Sequence, residues 1–217
     1  MEDVNKVFGI GLPKTGTTSL NAALNHLGLN SIHNPLDLRR QAHEGTYKFD
    51  RDDWDALTNF GEHFYPQLDE AYPESKFILT VRDEEEWAES WKRQIEGAKG
   101  DGREGVISRS NWYRPGAYLL LMKKALFGKD NRYPSFKDIR IEIFGTYKFN
   151  RKRCRYVYNL HKQNVQSYFK EREGDFEIVD ICGGGGWEKV CKLLGIEEAP
   201  DCDFPHEVPP KTKNVVN

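Results

Sequence analysis

The chain has no long apolar run. Its longest late one, AYLLLM at 117–122, falls far short of the roughly 20 residues that a membrane-spanning helix needs, so no span is expected. The N-terminus, MEDVNKVFGIG, lacks the basic start and extended apolar stretch of a secretory signal, and the expectation is a soluble, cytoplasmic protein. Charge of one sign is also missing. With 32 Lys and Arg against 34 Asp and Glu, a net charge of -2 gives no general pull toward nucleic acid or an anionic membrane, so any polyanion must be met locally. Cysteine is scarce. Cys154, Cys182, Cys191 and Cys202 show no CxxC spacing, which argues against a zinc site and for free thiols, and no His, Cys and carboxylate spacing suggests any other metal. The length of 217 residues suits one domain with a real core and is short for two, so residues 1–217 are read as one α/β domain.

Apolar periodicity divides the chain. KVFGIGL reads as a buried strand, and TTSLNAALNHLGL repeats Leu20, Ala23, Leu24 and Leu27 at helical spacing, with Gly28 where the helix would end. NSIHNP at 30–35 reads as a short strand stopped by Pro35. FDRDDWDAL is expected to open a helix capped by Asp50, and FGEHFYPQLDEAYP to be a loop leading into a helix. KFILTV at 76–81 is the clearest buried strand, followed by a helix, RDEEEWAESWKRQ, whose acidic first turn suits its dipole. Segment 97–116, rich in Gly, Arg and Ser, is read as a mobile substrate loop, and AYLLLMKKALFG as a helix. A long helix from FNRKRC to KERE carries Tyr158, His161, Val165 and Tyr168 or Phe169 on one stripe. DFEIVDIC is a strand, GGGG a loop, WEKVCKLLG a short helix, and 199–217 an irregular tail. GTYKFDR at 45 and GTYKFNR at 145 echo one another too briefly for a repeat; Asp50 and Asn150 are read as shared helix caps.

The densest chemistry lies in GIGLPKTGTTSL at 9–20. A glycine-rich turn between strand and helix aims backbone N–H groups and the positive helix end at one point, which makes an anion site. Lys14, Thr15, Thr17, Thr18 and Ser19 add a cation and hydroxyls to that turn. The nucleotide-triphosphatase pattern GxxxxGK[ST] fails because Thr17, not Lys, follows Gly16. The dinucleotide pattern GxGxxG starts at Gly9 and Gly11 but meets Lys14 where its third glycine belongs.

PKTGTTSL instead closely resembles the 5′-phosphosulfate loop of sulfotransferases that use 3′-phosphoadenosine 5′-phosphosulfate (PAPS). That resemblance implies a P-loop-like three-layer α/β fold, a central parallel sheet flanked by helices. It implies PAPS as donor, adenosine 3′,5′-bisphosphate (PAP) as product, and no metal. Pro13, Lys14, Thr15, Gly16, Thr17, Thr18 and Ser19 would form the donor loop, with Lys14 reaching the sulfuryl side, where charge develops as the bond breaks. The family binds the 3′-phosphate with an Arg at a strand end and a Ser eight residues on. KFILTVRDEEEWAES places Arg82 and Ser90 at that separation, and Arg offers a planar donor fork for phosphate. DICGGGGWEKVCKLLGI followed by DFPH resembles the ending of a short-chain branch of the family. Its glycines, Gly184 among them, would let a backbone approach the nucleotide, while Trp187, Val190, Leu193 and Leu194 also suit a core.

Transfer to an alcohol or amine needs a base for the acceptor's proton. The family carries an acid or His after the strand that precedes KFILTV. The short-chain branch would have an acid near D-x-P there, whereas this chain has Thr58, Asn59 and Phe60. The substitutes, in order, are His63, His33 and Glu62; His63 suits neutral pH unaided, whereas Glu62 would need its pKa raised by burial. The partner is expected to be a small-molecule or sugar acceptor. A phosphoryl-transferring enzyme of the P-loop type and a non-catalytic sulfonucleotide-binding protein are the alternatives.

Overall fold

The computed structural model describes residues 6–97, 136–172 and 174–206. The expected substrate loop at 97–116, the helix read at 117–128 and the end of the tail therefore lie outside the described residues, except for Gly97 itself. Residues 199–206 carry neither helix nor strand.

Five short strands form one parallel sheet in the order β2-β3-β1-β4-β5, where β1 is Val7–Gly9, β2 Ser31–His33, β3 Ala56–Thr58, β4 Lys76–Thr80 and β5 Phe176–Val179. Seven helices are described: α1 Thr17–His26, α2 Leu36–His43, α3 Tyr65–Ala71, α4 Glu84–Gly97, α5 Phe136–Phe144, α6 Arg151–Tyr168 and α7 Trp187–Leu193. Parallel strands buried on both sides read as continuous apolar runs, and their successive side chains serve opposite faces. Phe8, Leu57 and Phe77 pack with Leu38, Leu68, Val165 and Phe169 from α2, α3 and the end of α6. Their neighbours Val7, Ala56 and Ile78 pack on the other face with Leu20, Leu24, Val190 and Leu193 from α1 and α7. A third cluster joins Leu12 to Trp87 and Trp91 of α4, Phe144 of α5, and Cys154 and Tyr158 of α6. The result is the expected three-layer α/β fold.

One expected helix is overturned. Residues 50–54 are not helical, and Ala56–Thr58 is instead the strand beside β1. Asp50 binds Gln41 Nε2 at 2.7 Å rather than capping a helix. Asp52 and Asp53 pair with Lys6 and Arg51, and Trp54 is buried. These charges line the non-helical approach to the strand, whose three residues stand directly behind a charged run that reads as the start of a helix. The matching cap at Asn150 is present: its side chain accepts from Arg153 N–H at 3.0 Å. Among the described residues no helix is long and apolar enough to cross a membrane. All four cysteines are free thiols.

Candidate active site

Connections leave β1 toward β2 on one side and reach β4 on the other. In an open parallel sheet, such a switch point opens a crevice beyond the strands' C-terminal ends. The β1–α1 loop stands there. Lys14 and Gly16 both take left-handed backbone, φ 76° and 95°. Thr15, fully buried between them, donates its hydroxyl to Leu12 O at 2.7 Å; its proton thus spent, it accepts from Thr80 Oγ1 at 2.6 Å. A side chain at Gly11 would stand 1.9 Å from that same Thr80 oxygen, so the crossing of loop and β4 requires glycine. Trp87 Nε1 donates to Pro13 O at 2.9 Å and fastens the loop to α4.

Helix α1 then begins without a side-chain cap and without an acid in its first turn. Its positive dipole end is met by neither a side-chain cap nor an acid, so a ligand at that end should be anionic. Thr17 and Ser19 are buried in this turn, and Thr18 is half-buried. Burial lowers the pKa of Lys14, and the nearby charges of Arg82 and Arg93 lower it further. Three cations therefore share one field. Like charges assembled beside an uncapped helix end repel one another until an anion neutralises them.

Arg82 follows β4. Its backbone is clasped by Tyr158, whose hydroxyl accepts from Arg82 N–H at 2.9 Å and donates to Arg82 O at 2.6 Å. Its guanidinium holds exposed Glu86 at 3.1 Å, a surface pair that an entering phosphate could displace at little cost. Ser90 is buried two turns along α4, and exposed Arg93 follows it by three residues. Arg93 did not emerge from the sequence; only its place one turn beyond Ser90 could have flagged it. Beyond β5, Ile181 packs against Gly16 and Gly184 takes φ 90° in open space. Neighbouring Cys182 has its thiol pushed up by burial, while Arg82 and Lys14 pull the other way.

The candidate bases fall in two places. His33, at the end of β2, pairs through Nδ1 with Thr58 Oγ1 at 3.0 Å. Because Thr58 donates its own proton to Asn21 Oδ1 at 3.2 Å, the His33 proton sits on Nδ1 and Nε2 keeps a lone pair. Burial lowers the His33 pKa; Glu62 opposes this and Arg39 adds to it. His63 and Glu62 instead line a cavity of about 220 Å³ between the β3–α3 loop, α5 and α6, together with Leu12, Tyr65, Glu142 and His161. His161 donates Nε2–H to Ile10 O at 2.9 Å, and burial lowers its pKa. Glu62 is fully buried with Arg39, which donates to both carboxylate oxygens at 3.2–3.3 Å and to Asn59 O at 2.6 Å. Asn59, standing where the family resemblance calls for an acid, has φ 52°. Among the described residues no group of three or more His, Cys, Asp or Glu is placed to hold a metal ion.

Residues 6–211 match the family described as Sulfotransferase domain, and the chain belongs to that family. It is 26% identical over 229 aligned residues to Ava biosynthesis cluster protein M of Aspergillus versicolor, covering 93% of this chain and 80% of that protein. Among solved structures it is similar to a sulfotransferase from Alicyclobacillus acidocaldarius, with 16% identity, a TM-score of 0.47, and coverage of 97% of this chain and 88% of that one.

Proposed function

We propose that this chain is a PAPS-dependent sulfotransferase, one cytoplasmic domain that transfers a sulfuryl group to a hydroxyl or amine of a small molecule or glycan. The observation that carries the reading is the uncapped start of α1 beside Lys14, with Arg82 and Arg93 in the same field. PAPS is anionic at both its phosphosulfate and its 3′-phosphate, which fits cations spread between the β1–α1 loop and α4. When bound, it supplies the activated sulfuryl group. The first-turn amides of α1, with Thr17 and Thr18, would hold the 5′-phosphate. Lys14 would stabilise the charge that develops on the departing side. Arg82, Ser90 and Arg93 would hold the 3′-phosphate, and Gly184 would let the nucleotide pass close to the backbone.

The acceptor is proposed to sit in the cavity beside Leu12, with His63 as its base, His33 second and Glu62 third. Both oxygens of Glu62 are already engaged by Arg39, which favours His63. The lining residues include two carboxylates and no Lys or Arg, an arrangement that favours an acceptor without its own negative charge.

The test is transfer of labelled sulfate from PAPS across a panel of phenols, alcohols, sugars and amines, with PAP binding measured in parallel. Lys14→Ala should abolish transfer more than it weakens PAP binding. Stabilisation by ATP but not by PAP would overturn the reading in favour of phosphoryl transfer. Tight PAP binding with no transfer to any acceptor would leave a sulfonucleotide-binding protein. The base assignment falls if His63→Ala, His33→Ala and Glu62→Gln all keep near-normal turnover.

A further inference from the structure

Glu142 lies on α5, a helix with no counterpart in the sequence reading, and its carboxylate is shared between two histidines. Oε1 accepts from His63 Nε2. Oε2 stands 3.0 Å from His43 Nε2. His63 belongs to the β3–α3 loop and His43 to the last turn of α2, so one carboxylate ties three separate elements together at the wall of the cavity. Burial alone would push the Glu142 carboxyl up, but the hydrogen bond from His63 and the charges of His63, His43 and Arg39 outweigh it and hold it below its usual range. An ionised carboxylate only accepts. The proton of the His63–Glu142 bond therefore belongs to His63 Nε2, so in the neutral ring, the form able to act as a base, the lone pair is on Nδ1.

We propose that Glu142 is the positioning residue of His63, holding the ring in the tautomer whose Nδ1 receives the acceptor's proton. The inference rests on the sulfotransferase reading above. The acceptor's proton passes to Nδ1 as its oxygen or nitrogen bonds to sulfur, while the bond from sulfur to the phosphate oxygen breaks and leaves its electron pair on the phosphate. The imidazolium formed lies against the Glu142 carboxylate, whose other oxygen stands 3.0 Å from His43 Nε2. This is an arrangement in which a carboxylate orients the base and stabilises its charged form.

The experiment is a double-mutant cycle on the full chain with labelled PAPS and the best acceptor from the panel. Gln at 142 keeps the size and one acceptor oxygen but not the charge. Glu142→Gln should lower kcat by about 10–100-fold, a part of the roughly 10²–10⁴ that a positioned base contributes, with KM for PAPS unchanged. His63→Ala should lower kcat further, and adding Glu142→Gln to it should cost nothing more. Added imidazole, free to take either tautomer, should restore both His63→Ala variants to the same level. A rise in melting temperature with PAP confirms that each variant is folded.

An equal loss in both backgrounds, or unequal rescue by imidazole, would mean that Glu142 acts only as a structural tie and would overturn the proposal. So would a Glu142→Gln variant at the wild-type rate, with the sulfotransferase reading left standing. Absence of PAPS-dependent transfer by the wild-type chain would overturn both together.

Discussion

Replacing Arg39 by Leu tests how the cavity wall is held. The guanidinium is fully buried, with 0% side-chain exposure, and its partner Glu62 has 1%. It donates to both Glu62 oxygens and to the carbonyl of left-handed Asn59. Arg39→Leu leaves a carboxylate buried without a cation, and breaking a buried pair in this way costs about 3–5 kcal/mol. At about 2–4 °C per kcal/mol for a chain of this size, the melting temperature should fall by about 6–20 °C. The companion Arg39→Leu/Glu62→Leu removes both desolvated charges and should return to within about 1 kcal/mol of the parent, because apolar replacement of a whole buried pair is often neutral. Thermal and urea unfolding of the three proteins measure this directly. The double variant still lacks the bond to Asn59 O, so its transfer rate should stay low after its stability has recovered. A single variant that loses less than about 1 kcal/mol would refute the claim that the pair is sealed from solvent, and with it this account of how the loop carrying His63 is held.

Gly11→Ala would drive a methyl group into Thr80 Oγ1 and break its bond to Thr15. A loss of about 2–4 kcal/mol in urea unfolding is expected, with PAP affinity weakened by about tenfold or more in calorimetry. Arg93→Ala should weaken PAP binding and make its affinity less sensitive to salt, measured by titration across ionic strength. The lowered pKa of Lys14 also has a signed consequence. A bound polyanion favours the ammonium form, so PAP should bind best below that pKa and lose affinity as pH rises through it, earlier than an ordinary lysine would dictate; Lys14→Ala should flatten the profile.

The donor side of the site was legible because it is local in sequence. A strand, a glycine turn and a helix lie within Val7–His26, and Arg82 and Ser90 share one strand end and the helix after it. The first two strands, the long α6 with its Asn150 cap, and the β5 to α7 ending followed from period and turn residues in the same way. The acceptor side was not legible. Its wall is assembled from the loop that follows β3, a strand hidden behind DRDDWD, from α6 and from the short α5, Phe136–Phe144, and it is held by ion pairs such as Arg39–Glu62 and His63–Glu142 that span 23 and 79 residues. Such pairs leave no spacing to read. His63 could be nominated from its chemistry, but Arg39 and Glu142, which give it a setting, could not. Arg93 was missed for the opposite reason: it is one exposed arginine in a helix rich in charge, and only the fold sets it in the same field as Lys14.

The bond from Trp87 to Pro13 O reaches beyond support of a loop. It fastens the β1–α1 turn to α4, so a shift of the residues proposed for the 5′ end of the donor away from those on α4 would have to break it. A site built this way gauges length. A nucleotide with only one of the two anionic ends engages half of it, and no adjustment of the loop alone can close the gap. Selectivity between PAPS and shorter sulfonucleotides would then reside in an indole that touches neither phosphate.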